Sequence, residues 1–308
     1  MIECSGRFGY LQWRKVPQTG QAMRKTVIPA LALMFLLSGC VQTIAVNTMG
    51  GLINDGFSAF MEESDLEFAG KALPGNLKLL EVMLKSSPDN VTLLKLASEG
   101  YSSYALGYLE DTEPERAREF YKRGRDYALR ILQHDETLAK AISGTPIELK
   151  QALANCGTDQ VPGAFWAAFG WGSYIYLSLQ NTDAIGDLPR AEELMQFVAD
   201  RDTMFYHAGA DLFLGTLYGS RPKILGGDPV KSRGHFERAL RISGGKFLMA
   251  YVYYARSYAV QMQDEALFEQ LLHNVDSTSI DIDPSCRLPN AIAKQKAKLW
   301  MAKKEQLF

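Results

Sequence analysis

From about residue 52 onward, apolar positions recur every three or four residues, the period of an amphipathic helix. The strict alternation of a half-buried strand is scarce. Glycine and proline fall at helix-pair spacing rather than at hairpin spacing. The pattern predicts helices over 52–68, 91–109, 162–179, 204–218, 247–262 and 265–275, and a tail helix over 291–306 that caps the stack. Four stretches add a second regularity: a small residue, a large one four positions on, and another contact three further on. They are Asn76, Leu80, Met83 (with Pro88 five beyond), then Ala117, Tyr121, Gly124, then Ala191, Met195, Val198, then Ser232, Phe236, Ala239. Offsets of four and three keep one stripe on one helix face, and a small residue there lets a partner helix come close.

These are the offsets of the second helix of a tetratricopeptide unit, and most of the four stretches follow a candidate first helix. The expected fold is therefore all-α: a degenerate tetratricopeptide-like helix-pair solenoid or bundle with enlarged inter-helix loops. A non-repetitive helical bundle is the plainer alternative. Spacing is irregular, 74 residues from Ala117 to Ala191 and 41 from Ala191 to Ser232, against ~34 in the standard unit. The extra residues are expected between the helices of a pair, with 216–230 the clearest case.

The amino-terminal region follows different rules. Arg24 and Lys25 precede an apolar run over 27–37, closed by Leu37-Ser38-Gly39-Cys40. A basic start, a short apolar run and small residues make a secretory signal, not a membrane span. The cysteine directly after them resembles a bacterial lipoprotein signal. Ser38 and Gly39 are slim enough for a peptidase, and the Cys40 thiol would take a diacylglyceryl group. Each buried methylene contributes about 0.8 kcal/mol, so two or three acyl chains would hold the protein on a membrane. Met23 is the better start, which reads 1–22 as an upstream extension, 23–39 as the signal, 40–50 as a lipidated tether and 51–308 as one helical domain. Val41 lacks the aspartate that retains lipoproteins at the inner membrane of some bacteria, which favours the outer membrane, facing the periplasm.

Residues 1–39 carry a net +4, so the chain's −2 becomes −6 after cleavage. No basic stripe is left for nucleic acid. Cys156 and Cys286 could bridge in an oxidising compartment, but two cysteines make no framework. Catalytic signatures are missing. No serine sits in a G-x-S-x-G elbow, and no phosphate loop is present. Gly244-Gly245-Lys246 reads as a helix stop. His134, His207, His235 and His273 are scattered, without metal-ligand spacing. Asp281-Ile282-Asp283 opens like a calcium loop, but Cys286 and Ile292 occupy the glycine and glutamate positions. No metal and no cofactor is expected. A hydrolase is disfavoured, although triads assemble in space.

Two segments stand out as binding candidates. Over 165–174, Phe165 and Phe169 share one face, Trp171 and Tyr174 another, with alanine and glycine between. Such a helix is either plain core or the wall of an apolar cavity, with Trp166 or Trp171 offering a face and an N–H. Over 220–229, Pro222 fixes a dihedral, Gly226 and Gly227 permit positive ones, and Asp228 with Pro229 reads as a helix start. This is either a well-made loop or a lip of a ligand tunnel or docking edge, with Arg221 as the charged contact.

The chain resembles the TatT family, the T-component lipoproteins of tripartite ATP-independent periplasmic (TRAP) transporters. The resemblance rests on residues 99–108, on Ala117 with 120–128, on Phe165-Trp166 and Trp171-Gly172, on Arg221-Pro222 with 225–228, and on 235–239. It covers 40–275. It implies a tetratricopeptide-like lipoprotein with no enzymatic activity that partners a periplasmic solute-binding P-component. It also implies trimers, and a tunnel for a small hydrophobic ligand. The competing reading is a scaffold for envelope assembly that binds extended peptides in a repeat groove.

Overall fold

The computed structural model describes residues 56–308, which fall within one compact unit, Val46–Phe308. The signal, Cys40 and the tether lie outside the described residues. All regular structure among them is helical. In chain order the principal helices are α1 (Leu66–Ser86), α2 (Val91–Tyr104), α3 (Pro114–Leu132), α4 (Glu136–Ser143), α5 (Pro146–Leu153), α6 (Val161–Tyr176), α7 (Leu188–Arg201), α8 (Phe205–Gly219), α9 (Pro229–Ile242), α10 (Met249–Tyr254), α11 (Glu265–Ser277) and α12 (Arg287–Met301). Both α2 and α10 run on into a π-helical turn, Ala105–Leu109 and Ala255–Ala259.

The four-three stripe is a set of contacts. Ala117, Tyr121, Ala191, Met195, Val198, Ser232, Phe236 and Ala239 are all fully buried. Ser98 Oγ donates to the Gly124 carbonyl at 2.7 Å, fastening α2 to α3, and Ser232 Oγ donates to the Gly215 carbonyl at 2.7 Å, fastening α8 to α9. Gly170 of α6 crosses α3 so closely that a Cβ there would sit 2.8 Å from the Tyr121 carbonyl oxygen. The exception is the first set, where Asn76 is exposed and bonds back to the Ala72 carbonyl.

Three boundaries differ from expectation. The helix expected over 52–68 breaks at 62–65. There the Glu63 carboxylate accepts from the Ser64 and Asp65 amides, and Asp65 caps α1 through the Glu67 and Phe68 amides. The long interval from Ala117 to Ala191 is filled mainly by α4 and α5, between one helix pair and the next, not by a loop inside a pair. Asp135 caps α4, and α5 opens on a capping box, Thr145 with Glu148, and Pro146 at its first position. The tail helix starts earlier, at Arg287, and ends at Met301 before a short last turn.

The stack returns on itself. Ile292 of α12 packs against Gly107, and Arg287 Nη1 donates to the Glu62 carbonyl at 3.1 Å. Ala69 and Leu66 of α1 join the same apolar cluster as Phe247, Phe268 and Ala297. No helix among the described residues is long and apolar enough to cross a membrane.

The α3–α6 crossing yields a paired expectation. Gly170→Ala should lower stability by about 1–3 kcal/mol, because the new methyl meets backbone. Gly234→Ala, on α9 with nothing within 4 Å of its Cβ, should raise it by about 0.5–1 kcal/mol. Urea denaturation of both variants checks the contrast.

Candidate functional site

The two π turns each add a residue to a helical turn, and such bulges gather at functional sites. Here one carries Arg256 and the other ends just before Glu110. Arg256 Nη1 meets Glu110 Oε1 at 3.0 Å with both side chains under a tenth exposed. Tyr121 donates to Glu110 Oε2 at 2.5 Å. Lys296 of α12, 2% exposed, reaches Asp111 Oδ2 at 2.5 Å and Glu110 Oε1 at 3.7 Å. Burial alone would raise the Glu110 carboxyl, but Arg256 and Lys296 outweigh it and hold it below the usual range. Burial, then the Glu110 charge, push the Tyr121 phenol up. The Arg256 guanidinium lies over two rings, 4.6 Å from the Tyr253 centroid and 5.2 Å from that of Tyr176.

α2 carries a second buried carboxyl group, Glu99. Burial pushes the Glu99 carboxyl up to about 7, with Lys95 opposing, and it has no ion pair among the described residues. Its charge is felt by the Tyr206 phenol, which Ser103 also faces and which burial pushes up. Tyr206 sits edge-on to Trp166 at 4.8 Å and beside Phe165 at 5.5 Å. Tyr206 and Tyr253 lie deep enough for burial to shift their phenols, yet both keep accessible surface.

Tyr206 is seated by unusual backbone. Tyr206, His207 and Ala208 have φ of 47°, 57° and 60°, a left-handed turn at the start of α8 built without glycine. Each such residue costs roughly 1–2 kcal/mol. No glycine marks the turn in the sequence. Gly209 follows it, where a Cβ would collide with Phe165. The turn borders a surface cleft of about 540 Å³ whose lining includes Met204, Tyr206, His207, Arg241, Lys246 and Asp283.

The residues singled out from sequence fall in different settings. Trp166 and Trp171 are core, 1% and 6% exposed. Trp171 is covered by Arg125, while the buried Trp166 Nε1 has no hydrogen-bond partner. The 220–228 segment is a surface loop tied to itself. Gly226 takes φ of 85°, and Gly227 is needed because a Cβ would meet the Arg221 carbonyl oxygen at 1.8 Å. Pro222 accepts from the Gly227 amide at 3.1 Å, and Asp228 caps α9. Arg221 Nε is spent on the Leu217 carbonyl at 2.9 Å. Ile224 and Leu225 point outward, 92% and 65% exposed, and Val230 at the start of α9 is exposed too. No hydrogen bond, ion pair or ring contact among the described residues joins this loop to either tryptophan.

Gly244 and Gly245 do end α9, with φ of 58° and 70°. Cys156 and Cys286 are both free. His235 Nδ1 lies 2.7 Å from Asp211 Oδ1, but Arg238 also binds that carboxylate, and no serine or cysteine bonds the imidazole among the described residues. No cluster of three metal-ligating side chains occurs among them. The Glu110–Arg256 centre was missed from sequence because its members are 146 positions apart. The readable trace was an acidic couple, Glu110-Asp111, directly after the apolar turn Ala105–Leu109.

Two expectations follow. Glu110→Gln should cost about 3–5 kcal/mol, since it leaves buried cations uncompensated, read as a fall in the thermal midpoint. For Glu99 the folded pKa lies above the ordinary 4.5. The folded state then holds a proton that the unfolded state loses, so stability falls as pH rises from about 4.5 through 7. Glu99→Gln should flatten that decline, stabilising at pH 8 by about 2–3 kcal/mol and little at pH 4. Equal effects at both pH values would contradict it.

The family model for the TRAP transporter T-component matches residues 62–308. That span includes the tail helix, which the sequence resemblance left out. No curated protein matches the chain.

Proposed function

Because the chain belongs to the TRAP transporter T-component family, we propose that it is a periplasm-facing lipoprotein accessory of such an uptake system. In this reading Cys40 carries the acyl chains that anchor it, at the outer membrane, and the helical domain binds the periplasmic solute-binding P-component. The interior of the helix stack holds a small, mainly apolar ligand. Its role is to hold or pass material, not to transform it.

The observation that carries the interior reading is the Trp166 N–H, buried without a hydrogen-bond partner beside Tyr206. The return of α12 onto α1 and the first π turn argues against an open groove for extended peptides.

The docking reading rests on the 220–230 loop. Ile224 and Leu225 form an outward apolar tip that nothing in the described fold covers, and Val230 at the start of α9 is exposed as well. Lys223 and Lys231 flank it, which suits a partner face with acidic residues around an apolar spot. Homotrimer formation is a further element of the reading, taken from the family alone.

Capture on the full-length protein from solubilised membranes, identified by mass spectrometry, tests this. A solute-binding protein should be recovered, and Ile224→Asp with Leu225→Asp should cut recovery at least tenfold. Undiminished recovery would move the interface elsewhere, and recovery of no solute-binding protein would overturn the partnership.

A further inference from the structure

The surface cleft beside the left-handed turn carries cations that nothing in the described fold answers. Arg241 sits in the last turn of α9, and Lys246 follows the Gly244-Gly245 stop. Two successive left-handed glycines turn the chain there, so residues on either side of the stop line the same cleft of about 540 Å³. Both cationic side chains are exposed, and neither makes a hydrogen bond or ion pair among the described residues. A Cβ at Gly244 would meet no atom within 4 Å, so the lining between them is open. His207 enters from the start of α8, half-buried, its ring stacked on Phe247 at 4.6 Å. Its imidazole has no hydrogen-bond partner among the described residues. The strained turn at 206–208 sets it into this wall, and such strain gathers where ligands are held.

Charge decides what the cleft takes. Arg241 and Lys246 supply two positive charges, and Asp283 one negative. Asp283 Oδ1 is occupied by the Ser285 amide at 3.1 Å and the Ser285 hydroxyl at 2.7 Å, and these bonds hold its carboxyl below the usual range. Burial holds the His207 imidazole below its ordinary 6.5, with Asp283 opposing, so it is neutral at pH 7. The cleft therefore keeps one positive charge in excess on a chain of net charge −2. A neutral solute gains little from it and a cation is repelled. An anionic oxygen takes up the guanidinium and ammonium donors and restores the balance. Met204 and Ile242 offer apolar surface for the rest of the molecule. The volume is that of sites for small organic ligands, about 300–1,000 Å³.

We propose that this cleft binds the oxyanion group of a small organic solute, with Arg241 and Lys246 as its cationic donors and His207 beside them. The assignment depends on neither the interior ligand nor the partner at the 220–230 loop. A bound anion favours the charged imidazole, so binding draws a proton onto His207 and tightens as pH falls from 8 to 6. His207 is the only histidine in the lining. The charged and titratable groups that share the cleft with it are Arg241, Lys246, Asp283 and, on its own turn, Tyr206, whose phenol burial pushes far above this range.

Isothermal titration calorimetry of the purified full-length protein with benzoate, phenyl phosphate, benzyl alcohol and benzylammonium tests this. At least one anion should bind about tenfold or more tighter than benzyl alcohol, and benzylammonium should not bind. The tighter anion identifies the group as carboxylate or phosphate. Benzoate, ionised throughout, should bind about threefold or more tighter at pH 6 than at pH 8. His207→Asn, a residue that tolerates the left-handed backbone, should abolish that difference and keep the affinity at pH 8. Arg241→Ala and Lys246→Ala should each weaken the anion about fivefold. Arg233→Ala, on the same helix but paired with Glu237 at 2.7 Å, should not. Benzyl alcohol binding as tightly as both anions, or no anion binding at all, would overturn the assignment. So would undiminished affinity in both Arg241→Ala and Lys246→Ala. A pH-independent wild type would remove His207 from the site. None of these results bears on the interior ligand or the P-component.

Discussion

The buried ion group at Glu110 is the constraint on which the closed arrangement depends. Its contacts join Glu110 to Arg256 and Asp111 to Lys296, positions 146 and 185 residues apart. Apolar burial supplies most of the driving force for the stack, but it is non-directional and tolerates sliding. Charged hydrogen bonds at 2.5–3.0 Å do not. One register of α12 places Lys296 against Asp111, and that register also seats Ile292 on Gly107. Buried pairs seldom add net stability against an apolar alternative, because desolvation offsets the attraction. What this group adds is a specification of where the last helix lies on the first π turn.

The interior is shaped by a trade of the opposite kind. Three successive left-handed residues at 206–208 cost several kcal/mol together. Seating Tyr206 among Phe165, Trp166 and Phe247 offsets that cost, since an aromatic ring buries a large area and gains from edge contacts. His207 stacks on Phe247 at 4.6 Å in the same turn. The strain therefore packs one face of the Tyr206 ring against the aromatic core while the residue also lines the surface cleft.

How much of this was legible follows from the range of each interaction. Helix faces and most caps depend on residues within four positions, and these could be read directly. Ala117, Tyr121 and Gly124 pack as their spacing implies, and Asp228 caps α9 as Asp-Pro suggests. The α4–α5 insertion was readable too, from Thr145-Pro146 with Glu148, but repeat spacing had assigned those residues to a loop. The Glu110 centre and the left-handed turn were not readable. The first depends on partners set by topology, and the second on aromatic contacts that override local backbone preference. Trp166 and Trp171 could be read as aromatic but not as enclosed, because composition alone does not distinguish a packed wall from an open one.

One helix links the two surfaces that matter for the proposed role. α8 begins at the strained turn that seats Tyr206 and ends at the 220–228 loop, and its regular part over 209–219 is ~16 Å long at the usual rise per residue. The loop is fixed to it by the Arg221 bond to Leu217 and by the Asp228 amide bond to the Tyr218 carbonyl at 3.0 Å. Its apolar tip is thus held in place before any partner arrives, so docking there loses little conformational entropy. A partner gripping Ile224 and Leu225 grips the far end of the element that carries Tyr206 inward. An open repeat groove would spread its contacts over many helices. Here the outward apolar surface and the turn that carries the phenol lie at the two ends of one helix.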